Sequence, residues 1–159
     1  MMRLEQPADR EGIRKLHLAC FPTSAEAGLV DALRAEDDAV LSLVAEEGGA
    51  VVGHVLFSRM TAPFRALGLA PVAVLPDHRR RGVAAGLIET GLAQAAADGW
   101  EAVFVLGDPA YYGRLAFDAG QAAGFANPYA GPHFMAKALA PLPVRTGRVD
   151  YAAAFASLA

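Results

Sequence analysis

Apolar positions in this chain recur first at helical spacing, then at strand spacing, then at helical spacing again, and those changes of period lay out its elements. Ile13, Leu16 and His17 share one face between Asp9 and Cys20, which predicts a helix stopped by Phe21-Pro22. A second helix carrying Leu29, Val30 and Leu33 is expected after Thr23 or Ser24, with Glu26 placed for a capping box with Thr23, and it ends near Asp37. Met2 to Gln6 reads as a short edge strand. From Val40 the period shortens: a strand to Glu46, a hairpin at Gly48-Gly49, and a returning strand from Val51 to Met60, with Gly53 as a bulge or close approach. Leu69 to Leu75 is apolar nearly throughout, as a strand covered on both faces requires. Pro63 to Leu67 follows neither period.

The strongest helix comes next. Val83, Leu87, Ile88, Gly91, Leu92 and Ala95 form one stripe, and Asp98-Gly99 ends it. Gly86 and Gly91 cost about 1 kcal/mol each against Ala, so close packing on a sheet is expected in compensation. Trp100 to Leu106 is another apolar strand, which makes residues 69–106 a strand–helix–strand unit with parallel pairing. Gly107-Asp108-Pro109 is a turn into a short helix, Ala110 to Ala116. Gly120 and Gly124 mark turns, Phe134 to Leu139 a strand, and Val149 to Phe155 a last strand or helical turn. There is no internal repeat or linker, so one domain over residues 1–159 is expected, with its ligand-binding core near 69–118.

Composition narrows the class. The 159 residues are 54% hydrophobic and 19% charged, enough for a sizeable core. A net charge of −3 argues against general nucleic-acid binding. Cys20 is the single cysteine, without a disulfide or zinc partner, and His17 and His133 have no metal-site spacing, so no metal is expected. No apolar signal region opens the chain, and no uncharged apolar run approaches the roughly 20 residues of a membrane span; a cytoplasmic protein without membrane contact is expected.

Against the acidic average, the run His78-Arg79-Arg80-Arg81 stands out, which favours one small anion over a polymer. It joins the buried strand ending Val72-Ala73-Val74-Leu75-Pro76 to a helix beginning Gly82-Val83-Ala84. The first N–H groups of a helix lack intrahelical partners and carry the positive end of its dipole, so a pyrophosphate fits there. Gly82 and Ala84 allow close approach, and Arg79, Arg80 and Arg81 add charge. The turn lacks the Gly-Lys-Ser/Thr ending of a triphosphate loop, and no Gly-x-Gly-x-x-Gly follows the strand.

The segment Arg79-Arg80-Arg81-Gly82-Val83-Ala84 resembles the Gln/Arg-x-x-Gly-x-Gly/Ala signature of the GNAT superfamily of acyl-CoA-dependent N-acetyltransferases. Tyr111-Tyr112-Gly113-Arg114-Leu115-Ala116-Phe117 is similar to that family's Tyr-x-x-x-Gly-Phe segment, and Val105 to Arg114 resembles a bacterial subgroup of predicted acetyltransferases. The likeness is sharp over residues 50–118. It implies an α/β (α+β) GNAT fold: a mixed, mostly antiparallel sheet, a splayed parallel strand pair holding the cofactor, and about four flanking helices. Two departures stand out. Ala116 occupies the place of the family's Gly, a mild change unless its φ is positive, and Gly107-Asp108 stands where many members carry an Asn.

The resemblance implies acetyl-CoA as cofactor. Backbone groups of Val72, Ala73 and Val74 would pair with its pantetheine arm, and residues Arg79 to Ala84, Arg81 and Val83 included, would wrap its pyrophosphate. An N–H on the same strand would polarise the thioester carbonyl. Tyr112 is the candidate general acid, its reference pKa near 10 suited to a thiolate near 8.5; Tyr111 is its neighbouring rival. Glu46, Glu47, His54, Asp77, His78 and Asp108 are all candidates for a base, as is ordered water. The expected reaction is acetyl transfer to a primary amine, on a small molecule or a protein, by direct attack in a ternary complex. A non-catalytic acyl-CoA-binding module is the alternative, and the superfamily's C-terminal strands leave room for a homodimer.

Overall fold

Gly48 and Gly49 both take positive φ, 59° and 80°, as a tight hairpin demands, and they join strand β2 (Ala39–Glu47) to β3 (Ala50–Arg59). The computed structural model describes residues 1–158. It opens with β1 (Met2–Leu4), α1 (Arg10–Cys20) and α2 (Ala25–Ala35). After the hairpin come β4 (Ala66–Val74), α3 (Val83–Ala97), β5 (Ala102–Leu106), α4 (Pro109–Gly113) and α5 (Ala119–Ala122). The chain closes with β6 (Phe125–Ala126), β7 (Phe134–Ala138), β8 (Gly147–Arg148) and a 3₁₀ turn over Ala153–Leu158.

Six strands form one sheet in the order β1-β2-β3-β4-β5-β7, antiparallel throughout except for the parallel pair β4–β5. This is the expected mixed α/β architecture. The bulge expected at Gly53 is there: Ala45 pairs with Gly53 and Glu46 with Val51, leaving Val52 as the extra residue. Alternation along β3 sorts the layers. Val55 and Phe57 face α3 in one core, with Leu87, Ile88 and Leu92. Leu56 faces α1 and α2 in another, with Ile13, Leu29 and Leu33. The close packing expected of α3 is explicit at Gly91, where a Cβ would stand 2.2 Å from the Phe57 ring.

Tertiary context moved several boundaries. β4 begins at Ala66, because Leu67 pairs with Arg59 across the sheet. The α2 start has no capping box: Thr23 Oγ1 accepts from the Ala25 N–H at 3.2 Å, while Glu26 Oε1 is sealed without a partner. Asp118 accepts from the Gln121 N–H at 2.7 Å and so starts α5 where turns were expected. The last segment splits into β8, a bridge between Thr61 and Asp150, and the 3₁₀ turn.

One polar seam runs through the apolar layer beneath α1 and α2. Arg34 holds the Glu5 carboxylate, and Ser42 Oγ donates to Glu5 Oε1 at 2.7 Å. His54 Nε2 lies 2.7 Å from Ser42 Oγ, and His54 Nδ1 lies 2.8 Å from His17 Nε2. Both rings are fully buried. Burial, with Arg34 adding to it, holds the His17 imidazole down at about 4. Burial first, then His17 and Arg34, hold His54 well below its ordinary value.

Rings that stay neutral in the folded state but protonate in the unfolded chain cost stability as pH falls below the unfolded pKa of 6.5, since the unfolded chain then binds more protons. Unfolding free energy from urea melts is expected to drop by about 1.4 kcal/mol per pH unit for each ring between about pH 6 and 4.5. A flat profile across that window means the rings are already charged in the fold. Ala116, at the family's Gly position, has φ 68° and so sits in left-handed strain. Ala116→Gly is expected to gain about 0.5–1 kcal/mol, the relieved strain less glycine's extra unfolded-chain entropy, read as a higher urea midpoint.

Candidate functional site

Strands β4 and β5 run together for only three pairs, Ala66–Ala102, Leu67–Val103 and Gly68–Phe104. Beyond them β4 stays with β3, through Val72–Val55, Ala73–His54 and Val74–Gly53, while β5 stays with β7. Leu69 to Val74 therefore has a neighbour on one side and an open edge on the other. Where β4 leaves β5, it carries a bulge: Ala70 and Pro71 stand against Leu56 alone, and Pro71 has no N–H for a ladder. Two aromatic rings pack against the parting. A Cβ on Gly68 would lie 2.7 Å from the Tyr151 ring, and one on Gly107, just past β5, would lie 2.5 Å from the Tyr112 ring.

The open edge forms one wall of a cavity of about 360 Å³. Of the residues expected to bind the cofactor, Val72, Ala73, Val74, Arg79, Arg80, Gly82, Val83 and Ala84 line it; Arg81 does not. The N-terminus of α3 forms its anion-facing end. The Gly82 carbonyl takes the Gly86 N–H at 2.9 Å, so the Val83, Ala84 and Ala85 N–H groups have no intrahelical acceptor. Arg80 and Gly82 take left-handed φ of 63° and 77°, a geometry that curls successive N–H groups into a concave, anion-attracting surface. The Arg79 Nε–H donates to the Val74 carbonyl at 2.8 Å, tying the basic bend to the end of β4.

Four wall residues carried no periodic signal. Cys20 and Phe21 come from the end of α1, Ala85 from α3, and Tyr111 from α4. Cys20 Sγ lies 3.4 Å from the Val74 carbonyl, which brings the end of α1 against β4. Tyr111 packs edge-on against Tyr112, centroids 5.0 Å apart. Tyr112 lies deeper, 9% exposed, against Phe117 as well. Burial, with Tyr111 adding to it, pushes the Tyr112 phenol up to about 12.

The candidate bases are dispersed. Glu46 is 2.7 Å from Arg3, Asp108 caps α4 by accepting from the Ala110 N–H at 3.0 Å, and His78 lies 3.5 Å from Glu47. Asp77 lies in a 3₁₀ turn ahead of the basic bend. Of these only His78 lines the cavity, and His54 belongs to the buried seam. Among the described residues there is no group of three metal-ligating side chains, and no helix is long and apolar enough to cross a membrane.

Residues 10–117 match the Acetyltransferase (GNAT) family. The uncharacterized N-acetyltransferase YhbS of Escherichia coli K12 is 39% identical over 122 residues, which is 74% of this chain and 73% of that protein. The uncharacterized N-acetyltransferase YjhQ of the same strain is 39% identical over 119 residues, 70% of this chain and 65% of that one. Among solved structures, YhbS from Escherichia coli in complex with CoA superposes with a TM-score of 0.92 at 35% identity, over 98% of this chain and 91% of that one. A GNAT family acetyltransferase from Brucella melitensis in complex with acetyl-CoA gives 0.82 at 36%, over 98% and 97%. The chain belongs to the GNAT family of acetyltransferases.

Gly82 has open space where a Cβ would stand, so the cost of replacing it comes from its φ of 77° and from the ligand. Gly82→Glu adds backbone strain and sets an anion at the helix pole. It is expected to weaken CoA binding by about 100-fold or more in calorimetry, and Gly82→Ala by only about tenfold. Equal affinities for Gly82→Glu and the parent chain place the pyrophosphate elsewhere.

Proposed function

We propose that this chain transfers the acetyl group of acetyl-CoA to a primary amine, on a small molecule or a protein, by direct attack within a ternary complex. The observation that carries the reading is the open β4 edge, Leu69 to Val74, ending beside the amide-lined bend at Gly82. A thioester arm needs extended backbone to pair with, and its pyrophosphate needs a positive pole at the end of that arm; the cavity joins the two. The Val83, Ala84 and Ala85 N–H groups would hold the pyrophosphate, with Arg80 adding charge and Arg79 bracing the bend. Val72, Ala73 and Val74 would align the arm, and an edge N–H of β4 would stabilise the oxyanion as the amine nitrogen bonds to the thioester carbon.

The C–S bond then breaks and leaves a thiolate. Tyr112, beside the end of β5, is the residue we assign to that sulfur, with Tyr111 as the adjoining wall. At about 12 its phenol stays protonated at neutral pH. It is also too weak an acid to surrender that proton to a thiol of pKa about 8.5. Its role is therefore a hydrogen bond to the developing thiolate, and the sulfur's proton comes from the amine. The raised value replaces the match expected from an unperturbed phenol.

The test is a panel of primary amines (diamines, amino acids, amino sugars and lysine peptides) with release of free thiol as the readout. At least one is expected to turn over. With the best of them, Tyr112→Phe is expected to lower kcat by about 100-fold while the KM for acetyl-CoA stays within about threefold. An unchanged kcat for Tyr112→Phe removes the residue from the reaction. CoA binding without thiol release from any amine turns the reading toward a binding module.

A further inference from the structure

The seam of His17, His54, Ser42 and Glu5 is unexplained by cofactor binding, and it is expensive. Two imidazoles, a hydroxyl and a carboxylate are set into a layer otherwise built from Ile13, Leu29, Leu33, Val44 and Leu56. Packed apolar side chains would fill that space at less cost. The seam also has a direction, which follows from counting protons. Glu5, held by Arg34, can only accept, so the single Ser42 hydroxyl proton goes to it. Ser42 Oγ must then accept from His54 Nε2–H. A neutral His54 is left with a bare Nδ1, which must accept from His17 Nε2–H. Every proton in the row is committed, and the row ends on a bare lone pair at Nδ1 of His17. That nitrogen is sealed and has no partner among the described residues.

This end of the row lies against the cavity wall. His17 stacks on Phe21 at 5.8 Å between centroids and 17° between planes, and Phe21 and Cys20, one helical turn on, both line the cavity. His54 pairs across β3–β4 with Ala73, which lines it too. The other end, at Ser42, Glu5, Arg34 and Arg10, borders an open surface depression.

We propose that Nδ1 of His17 takes the proton of the attacking amine, and that His54, Ser42 and Glu5 are the positioning residues that keep this nitrogen bare and pass a proton on toward the Glu5 carboxylate in the same step, so that neither ring carries a charge. As the amine nitrogen bonds to the thioester carbon, its N–H breaks and the proton joins His17 Nδ1. The Nε2 proton of His17 shifts toward His54 Nδ1, that of His54 Nε2 toward Ser42, and that of Ser42 toward the Glu5 carboxylate. When the C–S bond breaks the shifts reverse, and the proton passes to sulfur, giving the amide and the free thiol with no net change in the seam. Acceptor binding must open the path past Phe21. The assignment rests on the amine-acetylation reading above.

The groups facing the rings set its pH dependence. They are Arg34 of α2 with its partner Asp31, and Glu5 of the loop after β1 with Arg10 of α1 behind it. β4 presents only Ala73 opposite His54. Ser42→Ala cuts the row without touching the cavity lining. With the best amine of the panel, it is expected to lower kcat by about 30-fold near neutral pH, with the KM for acetyl-CoA within about twofold and the deficit shrinking toward about pH 9.5 as free hydroxide substitutes for the base. Ser42→Thr, which keeps the hydroxyl, is expected to recover most of the loss. Nitrogen-15 spectra of the labelled full chain are expected to show both rings protonated at Nε2 and bare at Nδ1, and Ser42→Ala to release that preference. A parent chain that turns over while Ser42→Ala equals it at every pH overturns the relay alone, as does a His17 protonated at Nδ1. A deficit that is uniform across pH reduces the seam to a structural role. A parent chain that binds acetyl-CoA but acetylates no amine overturns the relay together with the reading beneath it.

Discussion

From Leu69 to Val74 strand β4 has a neighbour on only one side, and the site is arranged along that open edge. An open edge is a liability, because its N–H and C=O groups lack a strand partner. It persists here because both strands are committed elsewhere: β4 to β3 through the bulge at Ala70-Pro71, and β5 to β7 along its whole length. Tyr151 packs on Gly68 and Tyr112 on Gly107, close over the sheet where the two strands part. An extended, amide-bearing ligand is the natural partner for such an edge, and this is the shape of a pantetheine arm.

The anion-binding bend depends on the same parting. Arg79 ties the bend to the Val74 carbonyl, the last residue of the open edge, so the α3 N-terminus is held at the end of the track. Cys20 approaches the same carbonyl from α1. One backbone oxygen thus gathers the cofactor-facing bend, the open strand and the α1 side of the cavity. The packing of α3 maintains the arrangement from below: Gly91 lets the helix settle onto Phe57, and Gly53 admits Val83 and Leu87 to within contact of β3.

The two faces of the sheet divide the chemistry. The α3 face is apolar and carries the amide-lined bend at its rim. The α1–α2 face contains the buried polar seam, whose protons are all accounted for except at His17 Nδ1. Tyr112 packs into the core on the α3 side, where burial keeps its phenol protonated. In the reaction we propose, the sulfur's proton comes from the amine, and the seam is the set of side chains we assign to carry it.

The amino-acid sequence by itself determined most of the elements and the basic bend ahead of α3. Hydrophobic period is a local property, so α1, α3 and the Gly48-Gly49 hairpin were legible, and eight of the nine expected cofactor residues line the cavity; the parallel pairing expected of residues 69–106 falls instead on Ala66 to Gly68, ahead of the strand the pattern marked. The bend at Gly82 was legible for the same reason: a glycine, three arginines and a helix start are contiguous in the chain. Only the tertiary structure decided what depends on distant segments meeting. His17 and His54 read as isolated core histidines until α1 and β3 bring their rings 2.8 Å apart, and Ser42 and Glu5 gave no sign of joining them. Ala116 looked like a mild departure until its φ of 68° appeared, and Tyr112 looked like a well-matched acid until burial raised it. Backbone handedness, desolvation and proton direction are set by surroundings that no single stretch of chain contains.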